Sequence, residues 1–214
     1  VTHTYTIKDN DKPNIDFNTT SSSADESVSS ADLTVDLSAT YNQNVTVDYV
    51  VTGTATGSGT DFTLTDGTLT IIAGQKTGTI SIIDIIDDTL DEENETVIVT
   101  LSNPNNAILG TDLVHTYTIN DNDDSPGVDF NIVSSESDEP SSSINITVDV
   151  SEVSGRQISV DYMVTGTANG SGIDHDLEDG TLTIEAGESN VIFTIPNIID
   201  DDLADCLLYT SDAA

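Results

Sequence analysis

The 214 residues predict an all-β fold of tandem immunoglobulin-like sandwiches, about seven antiparallel strands in each. Three observations carry that expectation. Apolar and polar residues alternate with period two in runs of strand length. The gaps between the runs hold Gly, Asn, Asp, Ser and Pro. Whole blocks of sequence recur about a hundred residues apart: 113 positions separate Asp61 from Asp174. A period of that length is domain-sized, well above the roughly 20–50 residues of a solenoid unit, so each repeat can hold its own core.

In chain order, strands are expected around residues 15–18, 33–37, 45–49, 68–72, 79–83, 97–101 and 114–119. Leu33, Val35 and Leu37 share one face of their run, as do Val45, Val47 and Tyr49 of the next. Polar residues at the alternate positions leave each sheet one wet face. Helix-period runs with caps are absent. The neutral Gly/Thr/Ser-rich stretch 52–60 suits a tight or bulged connection. Two other stretches are strongly acidic, DDTLDEENE at 87–95 and DNDD at 121–124, and both fall at strand ends, where the loops of a sandwich cluster.

The recurring blocks set the domain boundaries. HTYTIKDND at 3–11 returns as HTYTINDND at 115–123, and VDYVVTGTATGSG at 47–59 returns as VDYMVTGTANGSG at 160–172. DGTLTI at 66–71 returns at 179–184, and IIDD at 85–88 returns at 198–201. Residues 1–11 are read as the strand end of a preceding repeat, 12–123 as a complete repeat and 124–205 as a second repeat that stops early. The match fails at Cys206, and no strand pattern resumes beyond it. CLLYTSDAA at 206–214 reads like a translated transposon-type sequencing adapter, so this tail is expected to be non-native; a divergent natural C-terminus is the other reading. The pairs Tyr49/Tyr162, Phe17/Phe130 and Tyr5/Tyr117 occupy equal repeat positions and are read as packing residues. His3 and His115 are likewise read as structural, and His175 as a solvated loop histidine.

Composition narrows the function classes. The net charge is −35, and the basic residues are Lys8, Lys12, Lys76 and Arg156. Nucleic acid, whose phosphates need Lys and Arg, is excluded as a partner, and an anionic membrane surface is disfavoured. No stretch reaches the roughly 18 apolar residues of a membrane span, and no signal peptide opens the chain, so export signals and anchors are expected outside this stretch. Cys206 is the single cysteine, so an internal disulfide is impossible. No nucleophile elbow accompanies the Ser, His and Asp residues. Paired carboxylates could serve glycoside hydrolysis, but Trp is absent and aromatics are sparse, which leaves no stacking platform for sugar. The chain is expected not to be an enzyme.

The acidic loops carry the chemistry. Asp87, Asp88, Glu92 and Glu95 lie within nine residues, close enough to repel one another unless a cation intervenes. Carboxylates are hard oxygen ligands and suit calcium, which takes 6–8 oxygens in flexible geometry; magnesium prefers to keep its waters. Zinc and copper want His or Cys. A solvated acidic surface and a halophilic habit are the two other readings of these loops. The segment from Asp121 is not an EF-hand, because Pro126 stands at the required glycine and Ile132 at the bidentate glutamate.

The ordered series GTATGSGTDF, DGTLTI-x-AG, IIDD-x-x-x-E-x-x-E-T, VTLSNP-x-NA-x-LG and T-I-x-D-N-D resembles the Calx-beta repeat, twice over up to Asp205. That module occurs in sodium/calcium exchangers, integrin β4 and large bacterial surface proteins. The resemblance implies a seven-stranded sandwich with calcium at one end. Its implied ligands here are Glu26 after the first strand, Asp61 before Phe62, then Asp87, Asp88, Glu92 and Glu95, and finally Asp121 and Asp123, with Asn122 between them in place of an acid. In the second repeat they are Glu139, Asp174, Asp200 and Asp201. The expected function is a calcium-binding structural module of an extracellular bacterial adhesin or spacer stalk, with calcium stiffening the acidic loops and the junctions between repeats. Its partners would be calcium, the neighbouring repeats, and a cell-surface protein or glycan reached through other domains. The alternative is a calcium-sensing regulatory domain of a sodium/calcium exchanger-type transporter.

Overall fold

The computed structural model describes residues 1–6, 11–138, 141–168, 170, 172–199 and 208–212. Every regular element among them is a strand. By contacts the chain divides into two compact units, Val1–Asp88 with Asn94–Asn122, and Thr89–Glu93 with Asp123–Ala214.

The first unit is a two-sheet sandwich. One sheet holds β1 (Asn14–Phe17), β3 (Ser30–Leu37), β6 (Thr77–Ile83) and β8 (Ile108–Leu109), in the order β6-β3-β1-β8. The other holds β2 (Ser21–Asp25), β4 (Val45–Gly53), β5 (Gly67–Ile71), β7 (Glu95–Asn105) and β9 (Val114–Asn120), in the order β2-β9-β7-β4-β5. Period-two alternation decides what meets between them. Leu33, Val35 and Leu37 from one sheet and Val45, Val47, Val97 and Val99 from the other are each no more than 1% exposed, and with Ile15, Ile71 and Ile82 they form one core. Burying each such side chain contributes about 1.5–3 kcal/mol, which makes this the main driving force of the unit.

All seven expected strands form, and two more join them. β2 reads SSSAD, so no apolar alternation announces it. It pairs in parallel with the last strand, Ser22 opposite Tyr117 and Ala24 opposite Ile119. The two-residue β8 pairs in parallel with β1. Both are short edge strands held by backbone bonding. Two glycines are fixed by close approach. Gly53 has φ 137°, and a Cβ there would lie 2.0 Å from the carbonyl oxygen of Thr96. A Cβ on Gly110 would lie 1.9 Å from Oδ1 of Asp16.

The second unit repeats the plan. β10 (Val128–Phe130), β11 (Ser141–Val150) and β14 (Asn190–Ile198) form one sheet, β10-β11-β14. β12 (Ile158–Gly166), β13 (Gly180–Ile184) and β15 (Leu208–Asp212) form the other, β13-β12-β15. Val148, Leu177, Phe193 and Ile195 make its core, with Tyr162 stacked on Phe193 at 5.0 Å between ring centroids.

Three expectations are corrected. The letters HTYT at 115–118 lie in β9, but the same letters at 3–6 form no strand, and Tyr5 is 81% exposed where Tyr117 is 3%. A strand needs neighbours to take its N–H and C=O groups, and β2 and β7 serve the later copy. Beyond Cys206, where no strand pattern resumes in the sequence, β15 pairs antiparallel with β12 from Tyr162↔Asp212 to Gly166↔Leu208. It takes the register that β7 holds against β4, Tyr49↔Leu101 to Gly53↔Val97. Leu208, Thr210 and Asp212 thus stand where the first unit has Val97, Val99 and Leu101. With one apolar residue in three, alternation could not announce it.

His175, expected in solvent, is buried at 3% exposure. It occupies the place of Phe62 in the first repeat. A Cβ on Gly57 would touch the Phe62 ring at 3.4 Å, and one on Gly170 the His175 ring at 3.3 Å. Nδ1 accepts the N–H of Leu177 at 3.1 Å, which assigns the proton to Nε2, and Nε2 is buried without a hydrogen-bond partner. His115 has the structural role expected of it. Its Nδ1 bonds the carbonyl of Thr19 at 2.6 Å, and its Nε2 bonds Ser22 Oγ at 2.8 Å.

Candidate metal centre

Strand register gathers the acids. β2 and β9 run parallel, with Asp25 beside Asn120, so the two chains leave the sheet together. The N–H of Glu26 donates to the carbonyl of Asn120 at 3.0 Å. β7 enters antiparallel to β9 with Glu95 opposite Ile119. Glu26, Glu95 and Asp121 therefore reach the same end of the five-stranded sheet. The connection from β6 to β7 joins them there. Asp84 adopts φ 51°, a left-handed conformation uncommon outside glycine, and Asn197 adopts φ 55° at the equal position of the second repeat. That kink re-aims the chain into the IIDD segment. The N–H of Ile86 then donates to the carbonyl of Asp61 at 3.0 Å, which lays the acidic loop beside the Gly-rich turn.

Carboxylate oxygens of Glu26, Asp88 and Asp123, all within the first repeat as read from sequence, lie within 4.8 Å of one another. Glu26 and Asp123 are half-buried and Asp88 is exposed. Calcium–oxygen bonds of about 2.3–2.6 Å put two ligands on opposite sides of an ion roughly 4.6–5.2 Å apart, so the group fits a single central cation. The donors are all hard oxygens, the set suited to calcium rather than to zinc or copper. Among the described residues no other three His, Cys, Asp or Glu gather this closely.

The remaining expected ligands are placed differently. Asp87 Oδ1 accepts from Asn122 Nδ2 at 3.2 Å, so the asparagine inside D-N-D grips the loop. The N–H of Asp121 donates to Asn94 Oδ1 at 3.0 Å. Asp61 closes the Gly-rich turn, its Oδ2 accepting the N–H of Thr56 at 2.5 Å and its own N–H donating to the carbonyl of Thr56 at 3.0 Å. Glu92 packs against Gly155, where a Cβ would meet its Cγ at 2.8 Å. None of these, nor Glu95, is in the three-oxygen group. In the second repeat Asp174 is 8% exposed, and its carbonyl accepts the N–H of Ile199 at 3.1 Å, repeating the Asp61–Ile86 bond. Glu139, Asp200 and Asp201 lie outside the described residues.

One acid of the loop was not singled out from sequence. Asp91 is 6% exposed and accepts Ser154 Oγ at 2.8 Å and Ser125 Oγ at 3.4 Å, with Arg156 Nη1 at 3.5 Å. Arg156 Nε also reaches Glu93 Oε1 at 2.8 Å. A buried carboxylate persists only when paired and hydrogen-bonded, and Asp91 has both. The available signal was Arg156, one of four basic residues in a chain of 39 acids. Away from the acids, burial raises the Tyr117 phenol above the usual tyrosine value, and its hydroxyl has no hydrogen-bond partner.

An immunoglobulin-like sandwich with carboxylates converging at the strand ends defines the class. The chain belongs to the Calx-beta family: the Calx-beta domain model matches residues 8–123 and again 121–206. Among solved structures it is similar to CBD12 from CALX1.2, at 22% identity over 86% of this chain and 76% of that one, with a TM-score of 0.48. It is also similar to the apo-form Calx CBD1 domain, at 26% identity over 53% of this chain and 100% of that one, again with a TM-score of 0.48. The calcium binding domain CBD12 of CALX1.1 matches at 23% identity over 87% of this chain and 76% of that one, with a TM-score of 0.47. No curated protein matches the chain.

Proposed function

We propose that this Calx-beta chain is a calcium-binding structural module of an extracellular adhesin or spacer stalk in a large bacterial surface protein. The Glu26–Asp88–Asp123 group carries the metal reading, because three carboxylates held within 4.8 Å repel one another until a cation offsets their charge. Asp87, Asp61, Glu95 and Asp121 stand at the same end of the unit and are the next ligands, whereas Glu92 would have to leave Gly155. Bound calcium would cross-link the end of β2, the loop after β6 and the segment after β9. Asp123 is the last residue of one repeat and Asp124 the first of the next, so a cation held there would also stiffen the junction. Extracellular calcium would fill even sites with dissociation constants of about 10⁻⁴–10⁻³ M.

Protease treatment of intact cells that make the protein tests the location. Loss of the repeat from intact cells, slowed by calcium, is expected. A repeat that survives on intact cells and is cleaved only after lysis would move it inside, where the sensor role in a transporter takes over.

A further inference from the structure

Resting on the stalk reading for the source of the load, we propose that the strand pair β2–β9 is a load-bearing clamp by which the first repeat resists a pull along the chain. Among the named strands of the first unit two pairings are parallel, β1 with β8 and β2 with β9, and the others are antiparallel. Both parallel pairings join the stretch that enters the unit to the stretch that leaves it. In the first, the carbonyl of Pro13 accepts the N–H of Ile108 at 2.9 Å and that of Ile15 accepts the N–H of Gly110 at 3.1 Å. The N–H of Phe17 then donates to the carbonyl of Asp112 at 2.8 Å. The second ladder opens with the N–H of Thr116 on the carbonyl of Thr20 at 3.0 Å, and it closes with the N–H of Glu26 on the carbonyl of Asn120 at 3.0 Å.

Strand direction decides how such a pair meets a load. A pull enters β2 at Ser21 and leaves β9 at Asn120, and these lie at opposite ends of the pair, because Ser21 stands beside Thr116 and Asn120 beside Asp25. The strands must slide past one another, so the ladder bonds share the load. In an antiparallel pair the load would enter and leave at one end and open the bonds one after another. Bonds rather than apolar packing hold β2, since Ala24 is its one half-buried side chain and the others are exposed. One inward side chain of β9 adds to the ladder. His115, 3% exposed, donates from Nδ1 to the carbonyl of Thr19 at 2.6 Å, since a carbonyl only accepts. Its Nε2 then accepts from Ser22 Oγ at 2.8 Å. These two bonds cross from β9 to the end of β2 where the load arrives. Calcium would tie the other end, where Glu26 follows β2 and Asp121 follows β9.

Single-molecule pulling on the 214-residue chain in a calcium chelator tests the clamp, with Cys206→Ser removing the native thiol. Handles at Thr20→Cys and Asp124→Cys load the pair by sliding. Handles at Thr20→Cys and Val114→Cys peel β2 from β9, starting at the end the two strands share. Forced unfolding reports the unfolding rate. At equal load the sliding geometry should unfold at least about tenfold more slowly, because several hydrogen bonds must be lost together. Ser22→Ala leaves Nε2 of His115 without its donor and should speed unfolding by sliding about tenfold. Ile71→Val, in β5 at the opposite edge of the same sheet, should lower the melting temperature and leave that rate unchanged. A cooperative melt establishes that each variant folds. Equal rates in the two geometries overturn the proposal, as does a Ser22→Ala chain that unfolds no faster or an Ile71→Val chain that speeds up equally. Calcium should slow sliding further; a clamp that holds in chelator and gains nothing from calcium supports the load path and counts against the calcium reading alone.

Discussion

Asn122 donates from Nδ2 to Oδ1 of Asp87 at 3.2 Å, tying the segment after β9 to the loop after β6. The amide stands between Asp121 and Asp123 and supplies a donor where a third acid would add repulsion. Asn122→Asp replaces the hydrogen bond with a like-charge pair. Its melting temperature in a calcium chelator should fall below that of the native chain. Calcium should raise it by more than it raises the native chain. Calorimetric scans with and without calcium check this, and an equal rise in both proteins would place residue 122 outside the ion's reach.

Gly110 faces the carboxylate of Asp16, which accepts the N–H groups of Thr111 at 2.6 Å and Asp112 at 3.0 Å. A Cβ at residue 110 would displace that carboxylate and strand both donors. Gly110→Ala should cost about 2–4 kcal/mol, from overpacking plus lost hydrogen bonds. Asp16→Ala removes the acceptor but also the obstacle. The double variant should therefore be less destabilised than the sum of the single ones, which a urea-denaturation cycle measures.

Tyr117 buries a hydroxyl that has no hydrogen-bond partner. Tyr117→Phe should be neutral or stabilising at pH 7, by up to about 1–3 kcal/mol. Because burial raises the folded-state pKa above that of the unfolded chain, the folded protein holds its phenolic proton longer. The associated stability is complete below pH about 10 and is lost as pH rises through the folded-state value. The native chain should lose more stability than Tyr117→Phe above that pH, as followed by denaturant midpoint. Parallel curves would contradict the assignment.

His175 fills a pocket that the first repeat gives to Phe62, and it buries Nε2 without an acceptor. His175→Phe should raise the melting temperature of the second unit. The gain is about 1–3 kcal/mol from the removed polar group, less the bond that Nδ1 accepts from Leu177. Phe62→His in the first unit should lower stability for the same reason, and the pair of melts decides it.

What the sequence made legible was whatever a side chain announces. Leu33, Val35 and Leu37 declare a core face by alternation, and their strand is where they put it. β2 declares nothing, because SSSAD is held at the sheet edge by its backbone. The two copies of HTYT show the limit most clearly, since identical letters form a strand only where neighbouring strands receive them. At the metal centre, motif position could name eight acids of the first repeat, but register and the Asp84 kink decide that Glu26, Asp88 and Asp123 share one centre. Asp91 was hidden because its burial depends on Ser154 and Arg156, more than sixty residues later.

Calcium titration of the 214-residue chain by isothermal calorimetry, with thermal unfolding followed in parallel, measures whether the acidic loops hold the ion. Binding heat and a rise in melting temperature are expected, because the folded state holds the acids together and the unfolded chain does not; calcium at a hundred times its dissociation constant would add about 2.7 kcal/mol. Asp87→Asn with Asp88→Asn should remove most of both effects. No heat and no shift in melting at millimolar calcium would contradict it.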